Sequence, residues 1–265
     1  MVCSSREARQ DAHTEVKLLK AMKHKNIIAL LDSRIEGSEF MLLFEFVEKS
    51  AYDVISKGIE KSPNYDFAET NTYGAPFSEV EALELILGCC EALHYMHTVM
   101  KVCHRDFKPH NVLLRYDGGG YMGGPTALVM DVGSVAPLNV EIKDGNDALN
   151  IEEESQKKCS APYRSPELTT VEIGTTIGAG SDVWSLGCTL FGAAFGFCPF
   201  ETPKEGVLKL GILNGRFFYP RSPASNQFSE GMRGLINQML SVEAEKRGTP
   251  HSVGSSCQQL LSVYK

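Results

Sequence analysis

The first predicted element is an amphipathic helix over residues 7–24. Ala12, Val16, Leu19 and Met22 recur at spacings of three and four residues, with charged side chains between them. Apolar residues at this spacing lie on one face of an α-helix. We therefore expect this face to pack against a core, while the charged face stays in water.

Two apolar runs follow, HKNIIALLDSRI and EFMLLFEFVEK, on either side of Glu36, Gly37 and Ser38. Such runs, joined by a short polar turn that contains glycine, predict a β-hairpin. Residues 57–76 are polar and contain several Pro, Asn and Gly residues, which predicts a surface loop.

Helical patterns dominate the rest of the chain. Ser78 followed by Glu81 is a capping-box signature, which predicts the start of a long helix that ends near His97. The segment SDVWSLGCTLFGAAFGF is apolar on all sides apart from Asp182, and a helix of this kind is buried. Further helices are predicted at residues 148–159, 203–214, 229–240 and 250–263.

Composition indicates an ordinary globular protein. The chain has 265 residues, of which 43% are hydrophobic and 22% charged, and this length permits one or two domains. The formal net charge of -7 argues against nucleic acid or an anionic membrane as a default partner.

Cysteine usage and the start of the chain bear on its compartment. The eight cysteines are scattered without a CxxC pair, which is typical of a reducing, intracellular environment. No signal peptide is visible, and no apolar run approaches the ~18 residues of a membrane span. Val2 excludes N-myristoylation, and an unmodified thiol is favoured over an acyl group on Cys3.

Four short motifs occur in a fixed order and carry the chemistry. They are HRDFKPHN at 104–111, DVG at 131–133, YRSPE at 163–167 and SDVWSLG at 181–187. Together they resemble the catalytic domain of the eukaryotic protein kinases, and the resemblance runs from about Glu7 to Tyr264. It implies an α+β fold with a mostly helical large lobe.

The resemblance assigns a catalytic role to four residues. Phosphoryl transfer needs a carboxylate near the attacking hydroxyl group, a cation and metal ligands. Asp106 is expected to orient the hydroxyl group, and Lys108 to offset the charge on the transferred phosphoryl group. Asn111 and Asp131 supply hard oxygen atoms for Mg²⁺, so ATP and Mg²⁺ are the expected cofactors.

Further roles follow from the same resemblance in the first part of the chain. Glu15 takes the place of the glutamate on the helix that the family calls αC, and the hairpin corresponds to the family's β4–β5. Phe44 would be the gatekeeper. The backbone of residues 45–47, from Glu45 to Val47, would be the hinge that binds adenine. For Glu15 by itself, a solvated helix carboxylate is the simpler interpretation.

Three structural placements are also implied. His104 is expected to pack against the strand that precedes Asp131. Asp182 is expected to accept hydrogen bonds from backbone amides of the HRD loop. Arg247 is expected to pair with Glu167.

The segment that follows Asp131 narrows the resemblance to a smaller group of protein kinases. Val132 replaces the usual Phe, SPE replaces APE, and a helical insert precedes Cys159. These features resemble the family of serine/threonine kinase 16 and its fungal relatives, in the Numb-associated group. Arg105 could then pair with a phosphate on Ser155 or Ser160. A plain acidic surface helix explains the insert equally well.

Two other motifs are given simpler interpretations. GGGYMGG, residues 118–124, matches GxGxxG but lies downstream of HRD, so we expect a turn between two short strands instead of a phosphate-binding loop. His94, His97 and His104 suggest a metal site, but no Cys or carboxylate is seen to complete a ligand set.

The family's Gly-rich loop and strand lysine should precede Glu15. At ~5 residues per strand, three strands need more chain than the segment before Glu15 provides. This favours Met1 as an internal methionine of a longer protein. The small lobe, residues 1–47, is then incomplete, and residues 48–265 form the large lobe.

The function expected from the resemblance is transfer of the ATP γ-phosphate to Ser or Thr hydroxyl groups of protein substrates. The alternative is a catalytically silent pseudokinase or fragment that acts as a protein-binding module. The expected location is cytoplasmic, with a peripheral position on Golgi or vacuolar membranes only in a longer, acylated form. The sequence leaves the oligomeric state open.

Overall fold

The computed structural model describes residues 6–37, 39–60, 75–220 and 227–265. The helices are α1 Arg6–Ala21, α2 Ala51–Glu60, α3 Glu79–Tyr95, α4 Gly145–Lys158, α5 Pro166–Thr169, α6 Gly180–Phe195, α7 Lys209–Asn214, α8 Glu230–Met239 and α9 Pro250–Leu261. The strands are β1 Leu30–Glu36, β2 Glu39–Phe44, β3 Lys49–Ser50, β4 Val102–Cys103, β5 Val112–Arg115, β6 Thr126–Val129, β7 Ala136–Pro137, β8 Val140–Glu141, β9 Thr176–Ile177, β10 Glu201–Thr202 and β11 Gly206–Val207. The predicted α+β architecture is confirmed. No helix in these ranges is both long and apolar enough to cross a membrane.

Helix α1 packs on the hairpin β1–β2 through the apolar face that the sequence predicts to be buried. Ala12 and Val16 on the apolar face of α1 form a buried cluster with Phe40 of β2. Leu19 and Met22, one and two turns further along, join the main core. The apolar periodicity of residues 12–22 therefore identified the buried face correctly.

The first strand of the hairpin is shorter than its apolar run. Strand β1 starts at Leu30, whereas Ile27 forms a parallel bridge with Val129 of β6. The N–H of Ile28 donates to the carbonyl oxygen of Val129 at 2.9 Å, and Ile27 and Ile28 are both buried. Ile27 joins the main core, and neither residue extends the exposed hairpin.

The main core is built around α6. Trp184, Leu186 and Phe191 on this helix are fully buried, as the apolar pattern predicts. Helix α3 packs against both α6 and α9. The capping box at its start is present, because Glu81 N–H donates to the Ser78 hydroxyl oxygen while the Glu81 carboxylate accepts from Ser78 N–H.

The predicted loop over residues 57–76 is wrong at its beginning, because α2 continues to Glu60. The sequence does contain a helix-start signal that could have predicted α2, namely the pair Ser50 and Asp53. Asp53 accepts hydrogen bonds from the backbone N–H and the hydroxyl group of Ser50, at 2.7 and 2.8 Å. Residues 61–74 of the predicted loop lie outside the described residues.

The predicted helix over residues 203–214 starts later, at Lys209. Before it, β10 and β11 form a short hairpin. Gly206 has a φ of 67°, which a right-handed helix does not accommodate, and Glu205 N–H donates to Thr202 Oγ1 at 2.9 Å. These turn contacts outweigh the helical pattern. Helices α4, α8 and α9 form in the predicted regions.

Candidate active site

The HRD loop lies between β4 and β5 and is fixed by Asp182 at the start of α6. The two oxygen atoms of the Asp182 carboxylate accept hydrogen bonds from the backbone N–H groups of His104 and Arg105, at 2.8 and 2.9 Å. His97 Nε2 lies 2.8 Å from Asp182 Oδ2. Arg105 adopts a left-handed backbone conformation with φ 68°. The expected placement of Asp182 is therefore confirmed.

The charge of Asp182 is stabilised in a fully buried position. Burial by itself raises the pKa of this carboxyl group, but the hydrogen bond from His97, the histidine charges and the N–H of Arg105 outweigh it and hold the pKa below the usual value. The buried carboxylate therefore remains ionised and anchors the loop.

Asp106 is held between two groups at the end of this loop. Its Oδ2 accepts from Lys108 Nζ at 2.6 Å, and its Oδ1 accepts from the backbone N–H of Ser160 at 2.7 Å. Lys108 Nζ also donates to Ser160 Oγ at 2.7 Å. The structure thus brings Asp106 and Lys108 together and adds Ser160, which lies 54 residues away in sequence from Asp106.

Asn111 links this loop to Asp131. Its Nδ2 donates to the carbonyl oxygen of Asp106, and its own carbonyl oxygen accepts from Met130 N–H, both at 2.9 Å. The antiparallel pairing of β5 with β6 brings Asn111 next to the DVG motif. His104 Nε2 lies 3.1 Å from the carbonyl oxygen of Met130, so the expected packing of His104 is confirmed.

Asn111 and Asp131 fit a magnesium site by their chemistry. Among the described residues, none donates a hydrogen bond to Asn111 Oδ1 or to Asp131 Oδ2, while Asp131 Oδ1 accepts from Gly133 N–H at 3.2 Å. Amide and carboxylate oxygen atoms are the ligands that Mg²⁺ prefers. Asp131 has a left-handed φ of 62°, which turns the chain sharply at this point.

Glu15 of α1 lies near the DVG motif. A Cβ atom placed on Gly133 would lie 3.7 Å from Glu15 Oε2 and 3.3 Å from Asp131 Oδ1. Burial, followed by the negative charge of Asp131, raises the pKa of the Glu15 carboxyl group. In the described part of the chain, no Lys or Arg forms an ion pair with Glu15.

The predicted hinge, residues 45–47, connects β2 with β3. Glu45 Oε1 accepts from Arg115 Nη1 at 3.1 Å, and Val47 is half-buried. A contact that the sequence did not reveal lies nearby: the rings of Tyr52 and His110 are stacked with centroids 3.6 Å apart. Helix α2 thereby contacts the HRDFKPHN loop.

The GGGYMGG segment is the turn between β5 and β6, as predicted. Gly120 N–H donates to the Gly124 carbonyl oxygen and Gly123 N–H to the Gly120 carbonyl oxygen, both at 2.9 Å. The N–H of Met122 donates to the carboxylate of Glu84. Three backbone N–H groups of this segment are therefore already used, two inside the turn and one by Glu84 of α3.

A set of metal-ligand types does exist around His97, contrary to the sequence argument. Donor atoms of His97, Cys103 and Asp182 lie within 4.8 Å of one another. However, both Asp182 oxygen atoms accept from backbone N–H groups, and Cys103 Sγ donates to the Leu138 carbonyl oxygen at 3.4 Å. These groups satisfy one another as a buried hydrogen-bond network.

The segment after Asp131 contains α4, which Asp144 caps through the N–H groups of Asn146 and Asp147. Ser155 on this helix is only 3% exposed. Arg105 is buried, and in the described ranges its Nε and Nη2 atoms have no hydrogen-bond partner. Pairing of Arg105 with a phosphate group stays a prediction.

Comparisons with known proteins agree with this geometry. The protein kinase domain family matches residues 2–260. Serine/threonine-protein kinase 16 of Homo sapiens is 29% identical over 257 residues, which cover 95% of this chain and 76% of the relative. Serine/threonine-protein kinase ppk13 of Schizosaccharomyces pombe is 25% identical over 274 residues, 89% of this chain and 72% of the relative. The chain belongs to the protein kinase family and resembles serine/threonine kinase 16 and its fungal relatives.

Proposed function

We propose that this chain is a serine/threonine protein kinase domain that transfers the γ-phosphate of Mg-ATP to hydroxyl groups of protein substrates. The observation that carries the proposal is the position of Asp106, whose carboxylate contacts both Lys108 Nζ and Ser160 N–H. The names of the similar proteins support serine/threonine specificity.

In this proposal the residues around Asp106 orient the acceptor and balance charge. Asp106 accepts the hydroxyl proton of the substrate, and Lys108 stabilises the negative charge of the transferred group. Bound to Asn111 and Asp131, Mg²⁺ would neutralise charge on the ATP phosphates. Ser160 holds the ammonium group of Lys108 in place through its hydroxyl oxygen at 2.7 Å.

We further propose that nucleotide lies between a small lobe, residues 1–47, and a large lobe, residues 48–265. Backbone groups of Glu45 and Val47 would bind adenine. Glu15 would face the phosphates from α1, as its proximity to Gly133 and Asp131 suggests.

The test is incubation of the full chain with Mg-ATP carrying a labelled γ-phosphate and a mixture of unfolded proteins as acceptors. We expect label on phosphoserine and phosphothreonine after acid hydrolysis. Label that appeared mainly on phosphotyrosine would contradict the specificity, and no label at all would contradict the activity.

A second candidate function is a catalytically silent protein-binding module. The surroundings of Glu15 favour this binding-module function, because no described Lys or Arg pairs with the Glu15 carboxylate. The described residues therefore show no counterpart of the cation that anchors ATP in the family. This candidate predicts Mg-ATP affinity weaker than micromolar by calorimetric titration. Micromolar or tighter affinity would contradict it.

A further inference from the structure

The long helices α3 and α9 pack closely against each other. A Cβ atom on Gly254 of α9 would lie 3.4 Å from Cys90 Cβ and 3.5 Å from Leu87 Cδ1 of α3, which is ordinary van der Waals contact, so the two helices lie close together here. Residues of both helices line a cavity of about 220 Å³ next to this contact. His94 of α3 and His251 of α9 lie at this cavity.

The two imidazole rings are spaced like a pair of ligands to one metal ion. Their centroids are 5.3 Å apart, with an angle of 38° between the ring planes. Zinc–nitrogen bonds are ~2.0–2.1 Å, and the ring centre lies roughly 1 Å beyond the nitrogen atom, so two imidazoles on one tetrahedral Zn²⁺ have centroids about 5 Å apart. Among the described residues, the donor atoms of His94, His251 and Glu91 do not all lie within 4.8 Å of one another, so these side chains must rotate to share one ion.

The ring nitrogen atoms of both histidines are available for a ligand. Both residues are exposed, and within the described ranges neither ring makes a hydrogen bond. Glu91, one turn before His94 on α3, also lines the cavity. Its Oε2 pairs with Lys25 Nζ at 2.6 Å, whereas no described residue donates to Oε1.

Other nearby groups are less suitable. Burial raises the pKa of the Cys90 thiol well above its usual value, and a protonated thiol is a poor metal ligand. His24 stacks on Tyr95, and its Nδ1 accepts from Asn26 N–H at 3.2 Å.

We propose that His94, His251 and Glu91 form a binding site for a divalent transition metal ion, with Zn²⁺ as the best fit and water in the remaining position. Two imidazoles and one carboxylate favour zinc over Mg²⁺ or Ca²⁺, which prefer sites made of oxygen atoms. The ion would clamp α3 to α9, so it would act on stability and not on phosphoryl transfer. The site is separate from Asn111 and Asp131.

Thermal unfolding in the presence of zinc tests this site. The full chain is first treated with EDTA to remove bound metal. Its thermal unfolding is then measured without zinc and again with increasing ZnCl₂. We expect the midpoint to rise by roughly 5–10 °C at a zinc concentration of about one hundred times the dissociation constant. His94→Gln and His251→Gln should each weaken zinc binding at least about tenfold and remove most of the shift.

Matched controls separate this site from others. His13→Gln changes an exposed histidine on α1, and Asp131→Asn changes the candidate magnesium site; both variants should keep the zinc shift. Because His94 and His251 are exposed, their variants should unfold like the wild type in EDTA. No shift in the wild type, or an undiminished shift in the His94→Gln/His251→Gln double variant, would overturn the proposal. Calorimetric titration gives the same comparison without unfolding.

Discussion

Arg247 and Glu167, which lie 80 residues apart in sequence, form a two-point ion pair. Arg247 Nη1 donates to Glu167 Oε1 at 2.8 Å, and Nη2 donates to Oε2 at 2.9 Å. Arg247 is fully buried, and its guanidinium group lies 5.1 Å from the centre of the Trp184 ring. The pairing expected from the family resemblance is therefore confirmed.

Arg247→Ala should destabilise the fold by about 3–5 kcal/mol, because it leaves the Glu167 carboxylate without its partner. It also removes the donors to the carbonyl oxygen atoms of Gly180, Ser241 and Val242. Denaturant unfolding of both single variants and of the double variant measures the coupling. Strictly additive losses would show that the pair contributes nothing.

The neighbouring residue provides a control. Lys246 pairs with Glu243 at 2.6 Å, but both side chains are more than 60% exposed. Exposed pairs contribute little, so Lys246→Ala should change stability by less than about 1 kcal/mol.

The double variant of Arg247 and Glu167 should recover only part of the stability that Arg247→Ala loses, because the three carbonyl groups remain without a donor.

Asp182→Asn should destabilise the fold and change its response to acid. The pKa of Asp182 is held below its usual value, so the ionised group contributes stability above its unfolded pKa of about 3.9, and this contribution is lost as the pH falls through the lower folded pKa. With Asn, one backbone N–H faces an amide N–H instead of an oxygen atom, which costs about 1–3 kcal/mol. Unfolding measured from neutral pH down to well below that unfolded pKa should show the difference between wild type and variant shrinking in acid. A constant difference would contradict this role.

Ser160→Ala should reduce kcat/KM roughly 10- to 100-fold. The change removes the hydroxyl group that contacts Lys108 Nζ but keeps the N–H group that contacts Asp106. A hydrogen bond to a charged group contributes about 1.5–3 kcal/mol, which corresponds to this range of rates. Ser160→Thr keeps the hydroxyl group and should retain most of the activity. Equal losses in both variants would assign the effect to packing.

Glu15→Gln should leave the unfolding midpoint unchanged or raise it at neutral pH. Burial and Asp131 raise the pKa of Glu15, so the folded state favours its protonated form and the charge is unfavourable above that pKa. As the pH falls through the raised pKa, the wild type should gain stability relative to the variant. Glu39→Gln, at an exposed position of β2, is the control. A clear drop in the midpoint at neutral pH would indicate a cation partner for Glu15.

The sequence predicts most of the helices, although it misses α2, and it predicts which residues of the candidate site lie close together in the chain. Asp106, Lys108 and Asn111 share one loop, so their spacing fixes their proximity, and the β5–β6 turn brings Asp131 beside them. Apolar periodicity identified α1, which buries one face, whereas α6 was identified because it is apolar on nearly all sides and is buried along its whole length.

Contacts between segments that are distant in sequence could not be predicted from local sequence patterns. The approach of Ser160 to Lys108 depends on how the segment after Asp131 folds back, and no local pattern records it. The bridge between Ile27 and Val129 and the stacking of Tyr52 on His110 are of the same kind. The hairpin at residues 201–207 was missed because turn chemistry at Gly206 outweighed helical composition.

The most direct test of the proposed phosphoryl transfer is the rate of Asp106→Asn relative to the wild type, measured with Mg-ATP and a protein acceptor. Asn keeps an oxygen atom for the Ser160 N–H but has no charge for Lys108 and cannot accept the substrate proton. We predict a rate at least about 100-fold below that of the wild type. Because the change also removes the carboxylate partner of Lys108 and should lower the unfolding midpoint, both rates are measured well below the midpoint of the variant. A variant that retained more than a few per cent of the wild-type rate, or a wild type without measurable transfer, would contradict the account.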